Sequence, residues 1–414
     1  MNITVWNANL KIRLFGEALF NLLYWMYFPF IAVYFSSALG SQLAGLLMTV
    51  PPLTAIAFSM IGGDLADRFG RKPVMLTGCC LKALMFAVFA LSSSHWLDYL
   101  CFIGIGIGGA IYSPASDAMV ADLTTQKNRR QVFAVFITAN NIGAVLGPAI
   151  GATLFFQYRT ELLWACMLIM AIYSVAILYA IKETVPAAAN SHQGSRGIWN
   201  TFLNQWKAYR TLLSDKVFVL YIAAGVFAII AIMQLDLYLA IYVTEFVHLQ
   251  TVLTVNDWSF TLSGTEAFGW MLGLNGLMFV LFVLPSAKWL KDWKDRDIFM
   301  LSSFLAGIGM FAVGLTTNIW LLMLFTVIFT FGEIIRSPVM NNFVSEYAPQ
   351  ESRGLYMGAS KLQFTIGRFL APFAVIVADW MMPILVFGLI FLSALVSVFL
   401  YFYVFKLISK KLPA

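Results

Sequence analysis

Charged residues are scarce in this chain. Asp, Glu, Lys and Arg make up 11% of its 414 residues, whereas 61% are hydrophobic. Soluble globular domains contain about 25% charged residues, so this composition excludes a soluble protein. The apolar residues fall in continuous blocks of about 20, the length of a helix that crosses a bilayer. Because the blocks lack the short alternating segments of a membrane β-barrel, the sequence predicts an all-α polytopic membrane protein.

The residues that build most catalytic and metal sites are also few. The chain has three histidines and four cysteines, and the cysteines lie inside apolar blocks without metal-ligand spacing. We interpret them as small core residues. No G-x-x-x-x-G-K loop is present, which argues against nucleotide-driven chemistry, and the glycine-rich GIGIGGAIY follows no strand. No zinc motif or nucleophile–base pair stands out, so we expect no enzymatic activity and no cofactor.

Twelve apolar segments are long enough to cross the membrane. The first is too long for a signal-peptide core and lacks a cleavage site, so we interpret it as the first span. The longest inner connection predicts an N-terminal six-helix bundle (1–182), a cytoplasmic linker (183–216) and a C-terminal six-helix bundle (217–414). The predicted spans are 14–36, 43–64, 73–93, 96–120, 131–157, 161–182, 217–245, 267–288, 298–315, 319–344, 353–378 and 382–408.

Lysine and arginine are distributed unevenly between the two sides of these spans. With the N-terminus inside, 21 of the 26 cations, Arg13 among them, fall in inner segments, and only Arg159 falls outside. The positive-inside rule therefore predicts that both termini are cytoplasmic. The other four cations lie within spans: Lys82, Arg336, Lys361 and Arg368. Because this distribution accounts for the net charge of +6, we expect the bilayer and no nucleic acid as a partner.

Two connections have patterns of their own. Large apolar residues in the linker recur at helical spacing: Trp199, Phe202, Leu203, Trp206 and Tyr209. We predict a helix on the inner membrane surface there, and we interpret it as a strap between the halves rather than a regulatory module. The outer segment 246–266 alternates threonine with apolar residues, which predicts a short hairpin.

The stretch GGDLADRFGRK lies between the second and third predicted spans. Topology requires its cations but does not require two aspartates within one helical turn. The stretch resembles the loop 2–3 signature of the major facilitator superfamily, G-x-L-A-D-R-x-G-R-[KR], at every fixed position. The resemblance implies an inner gate of Asp67, Arg68 and Arg71, with Asp122 as a partner acid. Gly63 is expected to let neighbouring helices approach closely.

A second motif, NNIGAVLGPAIGA, lies in the fifth predicted span. Small residues four positions apart allow close helix contact, and a proline removes one backbone hydrogen bond. The motif resembles the G-x-x-x-G-P-x-x-G signature of the proton-coupled antiporter branches of the superfamily. The resemblance implies efflux and assigns the motif to Gly143, Gly147, Pro148 and Gly151.

Spans seven and ten extend the resemblance. The segments IAIMQLDLYL and FGEIIRSP are similar to those of LmrP-type multidrug/proton antiporters, which place an acid in each. The resemblance assigns proton coupling to Asp236 and Glu333. Two features depart from it: span four lacks the arginine of an R-x-x-x-G motif, and Asn140 or Asn141 replaces an acid of span five.

Ionisable groups inside a bilayer cost at least ~2.5–3.5 kcal/mol each on insertion scales, so they usually pair, face a cavity or carry protons. Glu17 and Asp117 are therefore further candidates for proton coupling. Glu333 and Arg336 lie three positions apart on one helix face, and we expect them to pair.

Polar and aromatic residues within the spans predict an amphipathic substrate cavity. Aromatic faces attract cations, and adaptable apolar surfaces accept varied ligands. The candidate cavity residues are Asn21, Tyr24, Trp25, Asn140, Gln234, Arg336 and Arg368.

The resemblance as a whole implies a carrier of the plasma membrane that acts as a monomer. It would export amphipathic, often cationic small molecules in exchange for protons. A carrier dedicated to one metabolite, peptide, siderophore or lipid is the alternative, favoured if Arg336 and Arg368 reach the cavity unpaired. A transporter-like sensor or structural membrane protein is a third hypothesis, against which the intact gate motif argues.

Overall fold

The structure is a computed structural model of the chain. It describes residues 7–124, 126–184, 212, 214–256, 258–290, 292–348, 356 and 359–411. The helices of the first half are α1 (Ala8–Leu39), α2 (Ser41–Met48), α3 (Val50–Phe69), α4 (Arg71–Leu91), α5 (His95–Leu123), α6 (Gln126–Gln157) and α7 (Arg159–Ala180). The second half contains α8 (Lys216–Ile232), α9 (Tyr238–Phe246), β1 (Gln250–Val255), β2 (Trp258–Leu262), α10 (Gly264–Trp289), α11 (Asp295–Val313), α12 (Ile319–Tyr347), α13 (Leu362–Leu370), α14 (Phe373–Ala378) and α15 (Pro383–Lys411).

The predicted spans coincide with apolar helices. Within the described residues, ten helices are long and apolar enough to cross a bilayer. The other two predicted spans contain the shorter apolar helices Ile142–Ala152 and Leu362–Ala378. The prediction of an all-α protein with twelve spans is therefore confirmed.

Local chemistry explains several helix boundaries. Gly40 (φ 85°) separates α1 from α2, and Gly70 (φ 101°) separates α3 from α4. Both lie in the left-handed region, which glycine enters without steric cost. At the start of α10, Ser263 and Glu266 form a capping box that satisfies two backbone donors.

Contacts divide the chain into two compact units, one drawn from residues 1–27 and 50–202 and the other from 28–49 and 203–414. In the first unit α4 packs against α5 and α7, and α3 packs against α5. A Cβ atom on Gly78 would lie 2.6 Å from the carbonyl oxygen of Gly108. Helices α4 and α5 therefore touch backbone to backbone.

The core of the second unit contains an aromatic cluster. Helix α8 packs against α13 and α15, and α11 packs against α12 and α15. Tyr221, Phe299 and Tyr401 are fully buried between these helices. The rings of Phe299 and Tyr401 stack with their centroids 4.7 Å apart.

The hairpin predicted in segment 246–266 is confirmed. Strands β1 and β2 are antiparallel, pair Gln250 with Leu262, and contain an irregularity between Thr251 and Leu253. The indole nitrogen of Trp320, at the start of α12, donates to the carbonyl oxygen of Val252 at 3.2 Å. The helix predicted within 199–210 of the linker lies outside the described residues.

Candidate functional site

Two acids of the second unit lie close enough for their charges to interact. Asp236 ends a 3-10 turn, Met233–Asp236, that interrupts the seventh span between α8 and α9. Glu333 lies in α12, and its carboxyl group interacts electrostatically with that of Asp236. Discontinuous membrane helices are recurrent sites of ion and substrate binding. The sequence predicted one continuous span over 217–245, so the interruption is a structural finding.

The two acids differ in their hydrogen bonds. Glu333 accepts from the side-chain nitrogen of Asn275 at 2.8 Å, and the same nitrogen donates to Thr330 at 3.0 Å. The Oδ1 atom of Asp236 is buried and has no hydrogen-bond partner within the described part of the chain. The positive charge of Arg368, an exposed residue, interacts electrostatically with Asp236. The site therefore combines an exposed cation with two carboxyl groups that no buried cation neutralises among the described residues.

The guanidinium of Arg336 forms its hydrogen bonds with two other helices. Its Nη2 atom donates to Gln363 at 3.0 Å and to the hydroxyl of Tyr401 at 2.6 Å. The prediction that Glu333 and Arg336 pair is wrong. Neighbouring helices supply neutral acceptors for the guanidinium, and it is only 3% exposed. Its other nitrogens, Nε and Nη1, are buried without partners among the described residues.

Gln234 connects the interrupted span to a neighbouring segment. The residue is fully buried, and its Nε2 atom donates to the carbonyl oxygens of Ile230 at 2.9 Å and Ala371 at 3.0 Å. Its Oε1 atom is buried with no partner in the described regions. The amide thus fixes the end of α8 next to Asp236. A contact between Gln234 and a substrate stays a prediction.

The acids of the first unit share one arginine. Arg13 donates from Nε to Glu17 at 2.7 Å and from Nη2 to Asp117 at 2.9 Å. Glu17 also accepts from the hydroxyls of Ser116 and Tyr112. Arg13 is 2% exposed and lies within α1, which begins at Ala8. The assignment of Arg13 to the inner side of the membrane stays a prediction.

The predicted gate residues meet at the junction of α3 and α4. Arg71 forms an ion pair with Asp67, and its Nε atom lies 3.4 Å from Asp122. Arg68 pairs instead with Asp64 at 2.9 Å. The structure thus brings Asp67, Arg71 and Asp122 together, and places Arg68 in a separate pair.

Sequence reasoning missed two members of this cluster. The carboxylate of Glu183 accepts from the backbone nitrogens of Arg71 and Lys72, each at 3.0 Å. A carboxylate at a helix N-terminus satisfies unpaired donors and complements the helix dipole. Thr184 donates to Asp122 at 3.0 Å. The only sequence signal was an acid directly after the sixth span, which identified no partner.

A different glycine allows the close approach near the gate. Among the described residues, a Cβ atom on Gly63 would have only Pro114 within contact range, at 3.8 Å, which is ordinary packing. A Cβ atom on Gly62 would lie 2.6 Å from the carbonyl oxygen of Ile111. The close approach predicted for Gly63 was therefore wrong and occurs at Gly62, one residue earlier on α3.

The glycines of the fifth span face the backbone of α1. A Cβ atom would lie 2.7 Å from Leu22 N at Gly143 and 2.9 Å from Leu22 O at Gly147, and one at Gly151 would overlap Met26 O. The close contact predicted for this motif is confirmed. Pro148 lies within α6. The role of the motif in antiport stays a prediction.

The candidate cavity residues of the first unit lie on α1 and α6. Tyr24 packs edge-on against Trp25, with ring centroids 5.7 Å apart. Both are partly buried, as is Asn21. Asn140 lies in α6, and its side chain is outside the described residues. Substrate contacts of all four stay predictions.

Comparison with known proteins identifies the family. The family model of the Major Facilitator Superfamily matches residues 14–256 and 249–412. The chain belongs to the major facilitator superfamily. This member is 35% identical over 422 residues to a "Na(+), Li(+), K(+)/H(+) antiporter" of Planococcus maritimus, and the match covers 100% of both chains. It is 27% identical to "Multidrug resistance protein MdtH" of Proteus mirabilis (strain HI4320), over 83% of this chain and 80% of the relative.

Solved structures agree on the fold of this superfamily member. A POT family transporter in complex with 5-aminolevulinic acid superposes with a TM-score of 0.76, at 18% identity and 96% coverage of both chains. A single-residue mutant of the nucleoside transporter NupG superposes with a TM-score of 0.75, at 13% identity, over 96% of this chain and 100% of that one. The protein is thus a multi-pass secondary transporter of the cell membrane.

Proposed function

We propose that this transporter is a proton-coupled antiporter that exports cations, in the first place amphipathic organic cations. The observation that carries the proposal is the acid pair of Asp236 and Glu333 at the interruption of the seventh span. Burial favours the neutral, protonated form of a carboxyl group. A cation that enters the site favours the ionised form, so proton and cargo compete for the same oxygens.

Two further features support organic cations as cargo. The first unit carries a cluster in which Tyr24, Trp25 and Tyr27 pack edge-on, and aromatic faces attract cations. Relatives such as the MdtH protein are named for multidrug resistance.

Alkali cations are the second candidate cargo. The relative that matches the whole chain is named a Na(+), Li(+), K(+)/H(+) antiporter. Gln234 Oε1 and Asp236 Oδ1 are buried oxygens without partners among the described residues. Hard cations prefer oxygen ligands of this kind, which supports an alkali ion as the alternative cargo.

Transport in proteoliposomes with an imposed pH gradient tests the proposal. Wild-type protein is expected to concentrate a fluorescent lipophilic cation, or Na⁺, Li⁺ or K⁺, on the acidic side. Asp236→Asn and Glu333→Gln imitate the protonated state with little change in volume, so each variant should lose most of the gradient-driven accumulation. Downhill exchange of a neutral compound should survive, since it needs alternation but no proton.

A matched control is available in the same unit. Asp297 is a half-buried acid paired with Arg296 at 2.7 Å, and Asp297→Asn should transport like wild type. If the double variant of Asp236 and Glu333 concentrates cargo as well as wild type, the coupling site lies elsewhere. Glu17 and Asp117 would then be tested next.

A further inference from the structure

Lys82 is a buried basic side chain that the proposed mechanism does not use. It lies about 16 Å along α4 from the start of that helix, near the middle of the span. The residue is 2% exposed. Among the described residues, its ammonium group has neither a hydrogen-bond acceptor nor an ion-pair partner, and it lies over two aromatic rings. A group of this kind inside a bilayer is a candidate functional site by default.

Two aromatic rings and two glycines form the surroundings of Lys82. Its Nζ atom lies 3.4 Å from the ring centroid of Phe20 and 5.1 Å from that of Tyr112. A Cβ atom on Gly108 would lie 2.9 Å from Lys82 Cγ, and one on Gly109 would lie 3.4 Å from Cε. The glycine-rich stretch of the fourth span therefore forms a groove on α5 that receives the lysine stem.

The ionisable groups around Lys82 come from its own helix and from three others. Glu17 on α1 interacts with it electrostatically, as does Cys79 on its own helix. On α5, the hydroxyl of Tyr112 lies 2.7 Å from that of Tyr173 on α7. Glu17 is already paired with the guanidinium of Arg13. The lysine is thus the ionisable group of this cluster whose charge has no direct partner among the described residues.

Both protonation states of Lys82 fit these surroundings. The faces of Phe20 and Tyr112 stabilise an ammonium ion, whereas the apolar helix packing favours the neutral amine. Lysine changes its protonation state readily when it is buried. A modest shift of α1 relative to α4 would therefore change the ratio of the ammonium form of Lys82 to its neutral form.

We propose that Lys82 is a second proton-binding group of the transport cycle, located in the first unit and separate from the acid pair. The inference rests on the proposed antiport. In one conformation the amine holds a proton against the two rings. In the other it releases that proton to water, and the nitrogen lone pair remains on the neutral amine.

The number of protons exchanged per cargo molecule can be measured. At the transport equilibrium without a membrane potential, each coupled proton adds about tenfold to the cargo concentration ratio per unit of pH gradient. Removing one proton-binding group lowers that ratio by about tenfold per pH unit. A purely structural lysine changes the rate of transport or the yield of protein but not this slope.

The experiment measures the equilibrium cargo ratio at several pH gradients in proteoliposomes whose membrane potential is clamped at zero. Lys82→Met keeps the length and removes the charge, and Lys82→Arg keeps the charge but cannot release the proton. The slope is that of the logarithm of the cargo ratio against the pH gradient. Both variants should lower this slope by one unit. The exposed Lys361 provides the control, and Lys361→Met should keep the wild-type slope.

The outcomes separate this inference from the proposed function. If wild-type protein concentrates no cargo under a pH gradient, the proposed antiport fails. If wild type concentrates cargo and Lys82→Arg keeps its slope, Lys82 is a structural cation and the inference is overturned, even where Lys82→Met does not fold. Proton release on cargo binding, followed in unbuffered detergent solution with a pH indicator, should also fall in Lys82→Arg relative to wild type.

Discussion

Buried ionisable residues of the same type meet different surroundings in this protein. Glu17 accepts three donors, one of them the guanidinium of Arg13. Asp236 has an oxygen without a partner among the described residues. The first carboxylate is held in place by its donors, and the second has an oxygen that can take a bond from a ligand. We therefore expect the two acids to respond differently to neutralisation.

Stability should depend on Glu17 more than on Asp117. The side chain of Glu17 is 15% exposed and that of Asp117 is 59% exposed, yet both pair with the buried Arg13. Glu17→Gln leaves the guanidinium without its buried counter-charge, which should cost on the order of 3 kcal/mol. Asp117→Asn should cost much less because that carboxylate is largely exposed. Melting temperatures in detergent would contradict this if the two variants were equally stable.

The charge of the cargo can be tested at Arg368. The residue is exposed, and its charge reaches Asp236, so Arg368→Ala should fold normally. A carrier of cations should keep binding lipophilic cations, whereas a carrier dedicated to an anionic metabolite should lose its cargo. Thermal-shift binding with cationic, anionic and neutral compounds distinguishes the two, and Arg368→Lys is the charge-retaining control. Loss of all cation binding by folded Arg368→Ala would favour the dedicated carrier.

Helix contacts depend on small residues at specific positions. The glycines of α6 lie against the backbone of α1, where a Cβ atom on Gly151 would overlap Met26. Gly106 on α5 has open space around its would-be Cβ atom. Gly151→Ala should therefore lower stability by about 1–3 kcal/mol through overpacking, and Gly106→Ala should be neutral or slightly stabilising. Equal melting temperatures for the two variants would show that the α1–α6 contact relaxes freely.

The elements that the sequence predicts well are those set by local chemistry. Continuous apolar blocks located the twelve spans, and the threonine alternation located the hairpin of β1 and β2. The interruption at Met233–Asp236 was not predictable, because the surrounding residues are uniformly apolar and Gln234 is fixed by a distant carbonyl at Ala371. Similarly, the pairing of Glu183 with the start of α4 joins residues 112 positions apart. Such contacts depend on tertiary packing that no local pattern records.

At the scale of the whole molecule, the two clusters identified by resemblance belong to different units. The gate cluster of Asp67, Arg71 and Asp122 lies in the first unit, and the acid pair of Asp236 and Glu333 lies in the second. Transporters of this kind alternate access by moving one half against the other. Coupling therefore requires that both clusters act on the same conformational equilibrium. A change of protonation in one cluster then shifts the equilibrium on which the other depends.

Asp67→Asn should alter that equilibrium without unfolding the protein. The substitution removes the counter-ion that Arg71 pairs with across Gly70, but Arg71 keeps Asp122 at 3.4 Å and its backbone bond to Glu183. Asp64→Asn is the matched control, because Asp64 pairs with Arg68 outside the cluster. Distances between spin labels at the inner helix ends should shift in Asp67→Asn, with slower transport, and should match wild type in Asp64→Asn. If Asp67→Asn matches wild type in both measurements, the assignment of Asp67 to an inner gate is wrong.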